Sequence, residues 1–200
     1  MKNSEISSQT SDILADLGEV ALDSLIEGIV KDIPVLGSAV KIAKLSKTIT
    51  DQIFLLKVKN FLLGLENISP EEKQIFFSKL NNNSEEKSKV GECLVLIINR
   101  LDDLEKAQIL AELFLKLIKE KINLETFRRL ASAIDIAFIE DLKTLIGGSR
   151  DSGYLSNLIR SGLAETSSTG VIMQGYDLVH ISVRISELGK LFVSSINENH

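Results

Sequence analysis

The amino-acid sequence predicts a mainly α protein: a multi-helix bundle that closes with a small C-terminal α+β element built on one β-hairpin. Three observations carry this. Two Pro and twelve Gly in 200 residues are few for a chain of short strands and tight turns. Apolar residues recur at steps of three and four over most of the first 148 positions, the spacing of one helix face. After Gly147-Gly148 the texture changes, and β-branched residues gather toward the C-terminus. A hydrophobic content of 44 % supplies a core, so this is not a disordered chain. The domain reading is a disordered polar tail over 1–10, a helical bundle over 11–148 and a small tail over 149–200.

Each element has its own local reason. From Asp12 to Val30 the stripe Ile13, Leu14, Leu17, Val20, Ala21, Leu25, Ile26 and Ile29 predicts an amphipathic helix, with Ser11 or Asp12 as its cap. Pro34 interrupts it, because proline removes a donor and restrains the residue before it. Val35–Thr48 resumes the helical pattern, and Ile49–Leu63 follows and stops near Gly64. Ser69-Pro70-Glu71-Glu72 is a start signal: a capping hydroxyl, a first-turn proline and two acids facing the positive helix end. That helix runs to about Leu80 and ends in Asn81-Asn82-Asn83. Ser84 is the expected cap of the next, which carries Val90, Cys93, Leu94, Ile97, Ile98 and Leu101. Asp102 or Asp103 opens a helix through Ile118. Asn123 caps one expected to continue through Phe138 and Leu142 to Gly147-Gly148.

Beyond Gly148 the expected order is a short helix over Tyr154–Ser161, a strand over Leu163–Thr166 and a loop over Ser167–Gly170. A strand over Tyr176–Val183 and a helix over Glu187–Ile196, capped by Ser186, complete it. "NLIRSGLAE" and "YDLVHISVRISELGKLF" resemble the hairpin half of winged-helix domains. That resemblance implies a shape. DNA binding would need basic side chains on the helix and wing; here Arg160 and Arg184 stand against Asp151, Glu165 and Asp177, which fits protein docking better.

Composition excludes much. One Cys excludes an internal disulfide, and two His leave little for a zinc site. The net charge of −5 argues against nucleic-acid binding by bulk electrostatics. His180 lies in an expected strand without a surrounding motif, and His200 is the last residue, so no hydrolytic triad is legible. Cys93 reads as a small hydrophobe. Glu71-Glu72, Glu85-Glu86 and Asp102-Asp103 all sit at helix starts, and adjacent helical positions point about 100° apart, so capping explains them better than catalysis. Gly147-Gly148-Ser149-Arg150 follows a helix and lacks the lysine of a phosphate loop. The reading is of a non-enzyme with no cofactor and no small-molecule substrate.

One feature stands out. Residues 1–30 hold one Lys against six acids, a net of −5, whereas 31–59 hold six Lys against two Asp, a net of +4. The basic block is also the most apolar one. Leu36 and Val40 with Lys41, Lys44, Lys47, Lys57 and Lys59 describe either a central hairpin with lysines reaching out to water, or an amphipathic segment at 31–65 that settles on an anionic bilayer. Its charge-free runs are too short for a spanning helix, which needs roughly 20 apolar residues.

The run "KDIPVLGSAVKIAKLSKTITDQIFLLKVKNFL", with "SPEEKQIFFSKL" and "LDDLEKAQILAELF" before a small α/β tail, resembles helical proteins of prokaryotic defence loci of the Abi-alpha abortive-infection type. The resemblance implies antiviral defence and carries no residue roles. Three expectations follow: a membrane-active effector using 31–65; an accessory subunit docking through its tail onto a protein partner or a second copy; and a DNA-binding regulator using Arg160 and Arg184. The expected location is cytoplasmic, at the inner-membrane surface if the hairpin acts there.

Overall fold

The computed structural model describes residues 33–46, 48–65, 68–81, 83–173 and 176–197. The helix expected at 12–30 and the tail expected at 1–10 lie outside them. Among the described residues the order is α1 (Pro34–Ser46), α2 (Ile49–Leu63), α3 (Pro70–Asn81), α4 (Ser84–Arg100), α5 (Leu104–Ile118), α6 (Leu124–Ile136) and α7 (Ile139–Ile146). A single turn α8 (Ser152–Leu155) runs into a 3-10 turn, and β1 (Ala164–Met173), β2 (Tyr176–Ile185) and α9 (Glu187–Asn197) finish the chain. The mainly helical bundle with one antiparallel hairpin is the fold class that the sequence predicts.

The start signals act as read. Ser69 Oγ accepts from the Glu72 amide at 3.1 Å while the Glu72 carboxylate takes the Ser69 amide at 3.3 Å, a reciprocal capping box. Asp103 caps α5 through the Glu105 amide at 2.7 Å, and Asn123 caps α6 through the Thr126 amide at 2.8 Å. Ser186 caps α9, accepting from the Gly189 amide at 3.0 Å.

The core is one continuous cluster. Its centre is aromatic: Phe114 of α5 meets Phe61 of α2, Phe76 of α3 and Phe127 of α6 at centroid distances of 5.6, 5.9 and 5.6 Å. Helix α9 returns across α5 and α7, so Phe192 and Ile196 join the core of the bundle. Close approaches need glycine here. A Cβ on Gly189 would stand 2.0 Å from the Leu163 carbonyl oxygen, and one on Gly91 would stand 2.9 Å from Val35 Cβ, where α1 crosses α4.

Four local expectations change. The helix expected from Asn123 to Gly147 breaks after Ile136: Ala137 is extended (ψ 151°) and Phe138 starts α7 with 70 % of its surface exposed. Lys106 holds the Asp135 carbonyl at 3.3 Å and Arg100 holds the Asp135 carboxylate at 2.9 Å, so tertiary partners receive the end of α6. Ser84 is the first residue of α4, and the Lys87 amide bonds back to the Asn83 carbonyl at 3.0 Å. Ser167–Gly170 is strand, not loop, because β2 pairs with β1 in unbroken register from Ala164↔Ile185 to Met173↔Tyr176. The helix expected at Tyr154–Ser161 is α8 and a 3-10 turn, ending by Leu158.

Candidate functional site

α1 and α2 form the helical hairpin implied by the basic apolar block. Its closed end is built by polar side chains. Thr48 caps α2, accepting from the Asp51 amide at 3.2 Å, and the Asp51 carboxylate accepts from the hydroxyls of Ser46 and Thr48. Those hydroxyls hold the Asp51 carboxyl below its ordinary range. The turn between the helices is therefore tied on both sides.

The inner face of the hairpin is core. Leu36 and Val40 of α1, with Phe54, Val58, Phe61 and Leu62 of α2, are buried. Leu36 and Val40 do not face solvent in this fold. The outer face near the closed end is different: Ile42 (66 % exposed), Leu45 (83 %), Ile49 (57 %) and Ile53 (42 %) show large aliphatic side chains within a turn or two of the Thr48 cap. Lys41 is exposed beside them and Lys44 half-buried. Lys47 lies outside the described residues. Lys57 and Lys59 are half-buried further along α2, and Lys57 turns inward to donate to the Asn99 carbonyl at 2.9 Å, in the last turn of α4. Burial pushes the Lys57 ammonium down, while Asp102 and Asp135 pull it back up. Lys57 belongs to the charged junction of α2, α4 and α6, not to the exposed end. Helical spacing of about 100° per residue sets Ile42 and Leu45 across α1 from Leu36 and Val40, and Ile49 and Ile53 across α2 from Phe54 and Val58.

The hairpin arginine expected to contact DNA or protein, Arg184, faces Glu165 directly across the β ladder and is ion-paired to it at 2.9 Å. Arg160 is exposed in the turn before β1.

A second feature was not legible in the sequence. Between α4 and α6 runs an open groove of about 740 Å³, lined by Leu96 and Leu124 and by the charged Arg100, Arg128, Arg129, Glu92 and Glu125. Cys93 lines it. Burial pushes the Cys93 thiol up, against the opposing pull of Arg128 and Arg100. The expected result is slow alkylation at pH 8 relative to a free cysteine, with a rate still climbing above pH 9. A pH–rate profile with iodoacetamide measures this, and a plateau below pH 8.5 would contradict it.

The chain matches no family model, no curated protein and no solved structure. Among the described residues no group of three His, Cys, Asp or Glu is placed to hold a metal ion, and no helix is long and apolar enough to cross a membrane.

Proposed function

We propose that this protein is a non-enzymatic effector of bacterial antiviral defence, of the abortive-infection kind, that acts by seating the closed end of its α1–α2 hairpin on an anionic membrane surface. One observation carries the membrane contact: Ile42, Leu45, Ile49 and Ile53 expose aliphatic surface beside Lys41 and Lys44 at the hairpin end. The defence setting rests on the resemblance of the sequence.

The physical logic is additive. Full burial of an exposed Leu or Ile side chain is worth about 1.5–3 kcal/mol, and each lysine near an anionic leaflet adds about 1 kcal/mol. Four exposed aliphatics and two flanking lysines therefore all favour attachment, against the cost of immobilisation. Insertion need not open the bundle, since the contacting side chains already point outward.

Flotation of the full chain with vesicles rich in phosphatidylglycerol tests this, alongside neutral phosphatidylcholine vesicles. Binding to the anionic vesicles is expected, and Leu45→Glu should weaken it about tenfold or more, as loss of one buried leucine implies. Equal flotation of Leu45→Glu and the wild type, or none by the wild type, overturns the membrane contact and leaves the interaction-subunit reading.

A further inference from the structure

Among the described residues β1 and β2 pair only with each other, so each strand has one edge without a ladder partner. We propose that the free edge of β1 is a strand-pairing surface whose partner is β1 of a second copy of this chain. The two strands would run antiparallel about a dyad at Ser168 and make one four-stranded sheet.

The ladder sets which backbone groups are free. The Ser186 amide donates to the Leu163 carbonyl at 3.0 Å, one step beyond the Ala164↔Ile185 pair. Opposed residues of an antiparallel ladder alternate between bonded and non-bonded pairs. Glu165↔Arg184 and Ser167↔Ser182 are therefore bonded pairs, and Thr166 and Ser168 turn their amides and carbonyls away from β2. Both residues are exposed.

Edge strands are ordinarily blunted by lysine, proline, a bulge or shortness. β1 is ten residues long, contains no Lys or Pro, and pairs without a bulge from Ala164 to Met173. Two strands wetted on both faces hold together only marginally, and added strands steady them. Here Ser168 and Ile181 are exposed on one face and Ser182 on the other.

Charge selects the partner. Glu165 is the one charged residue of β1, and Arg184 of the same hairpin already pairs with it at 2.9 Å. An edge without a free charge can meet itself, as a two-fold interface requires. A dyad at Ser168, the middle of the strand, sets Thr166 opposite Gly170 and Glu165 opposite Val171, so no like charges face each other. β2 suits this less well: it carries Asp177, His180 and Arg184, and α8 and α9 pack against it.

Sedimentation equilibrium of the full chain tests the pairing, and a concentration-dependent dimer is expected. Ser168→Pro removes an amide that β2 does not use, so the hairpin keeps its own ladder. It deletes both bonds that Ser168 exchanges with its copy and should raise the dissociation constant about tenfold or more. Ser168→Lys leaves the backbone intact and sets two ammonium groups against each other, so it should weaken the dimer more at low salt than at high. In a Cys93→Ser background, Ser168→Cys should oxidise to a covalent dimer, because bonded partners stand about 5.5 Å apart at Cα, within disulfide reach. Ser182→Cys, on the far strand, should not. Leu45→Glu should dimerise like the wild type, since the membrane contact proposed above lies on another element. A monomeric wild type at every concentration overturns the pairing. So does a dimer that Ser168→Pro and Ser168→Lys leave equally tight, a Ser168→Cys chain that forms no covalent dimer, or a dimer lost in Leu45→Glu.

Discussion

Phe114→Ala is expected to destabilise the fold by about 3–5 kcal/mol, the range for emptying a fully buried aromatic site. Phe114 has no exposed surface and its ring stands against those of Phe61, Phe76 and Phe127, from α2, α3 and α6. Removing it takes away apolar burial together with three tilted or edge-on ring contacts, and those rings belong to helices that cannot all collapse inward. In a chain of this size each kcal/mol moves the thermal midpoint by about 2–4 °C, so a fall of roughly 6–20 °C is expected. Calorimetry of Phe114→Ala beside Phe138→Ala measures it. Phe138 is largely exposed where α6 gives way to α7, and its loss should cost under about 0.5 kcal/mol. Equal losses would mean that the aromatic cluster is not the centre of the bundle.

The Phe114–Phe138 contrast also marks what the sequence could and could not say. Both phenylalanines sit on an apolar stripe of helical spacing, so periodicity alone assigns both to the core. The break at Ala137 has no Gly or Pro to announce it; Arg100 and Lys106, each about thirty residues earlier, receive the end of α6. Caps behaved otherwise. Ser69, Asp103, Asn123 and Ser186 act within three residues, and their positions are readable because the physics is local. The same division runs through the candidate site. The basic apolar block is plain in the sequence, and so is the hairpin. Which of its apolar side chains stay in water depends on where α4 and the other helices pack, although helical spacing already sets Val40 and Ile42 about 200° apart on α1. The ion pair of Arg184 with Glu165 is likewise set by strand register.

Leu36→Glu and Leu45→Glu lie nine positions apart on the same helix and should fail in opposite ways. Leu36 is fully buried, so a carboxylate there meets no water; the expected loss exceeds about 4 kcal/mol, against a total stability of roughly 5–15 kcal/mol for a native domain. Burial would raise the folded-state pKa of that introduced carboxyl above its unfolded value of about 4.3. Below the unfolded value the group is neutral in both states and the penalty is least; it grows as pH rises through the interval up to the folded value. Urea melts of Leu36→Glu at pH 4 and pH 7, each referred to wild type at the same pH, should therefore show the smaller deficit at pH 4. Leu45→Glu places its carboxylate in water near Lys41 and Lys44, and its melts should match wild type within about 0.5 kcal/mol at both pH values. Any loss of vesicle flotation by Leu45→Glu then reads out the contact itself, whereas a loss by Leu36→Glu reports only an opened bundle. A Leu36→Glu deficit below about 1 kcal/mol would show instead that α1 separates readily from α2 and α4, and the inner face of the hairpin would join its outer face as surface available to a membrane.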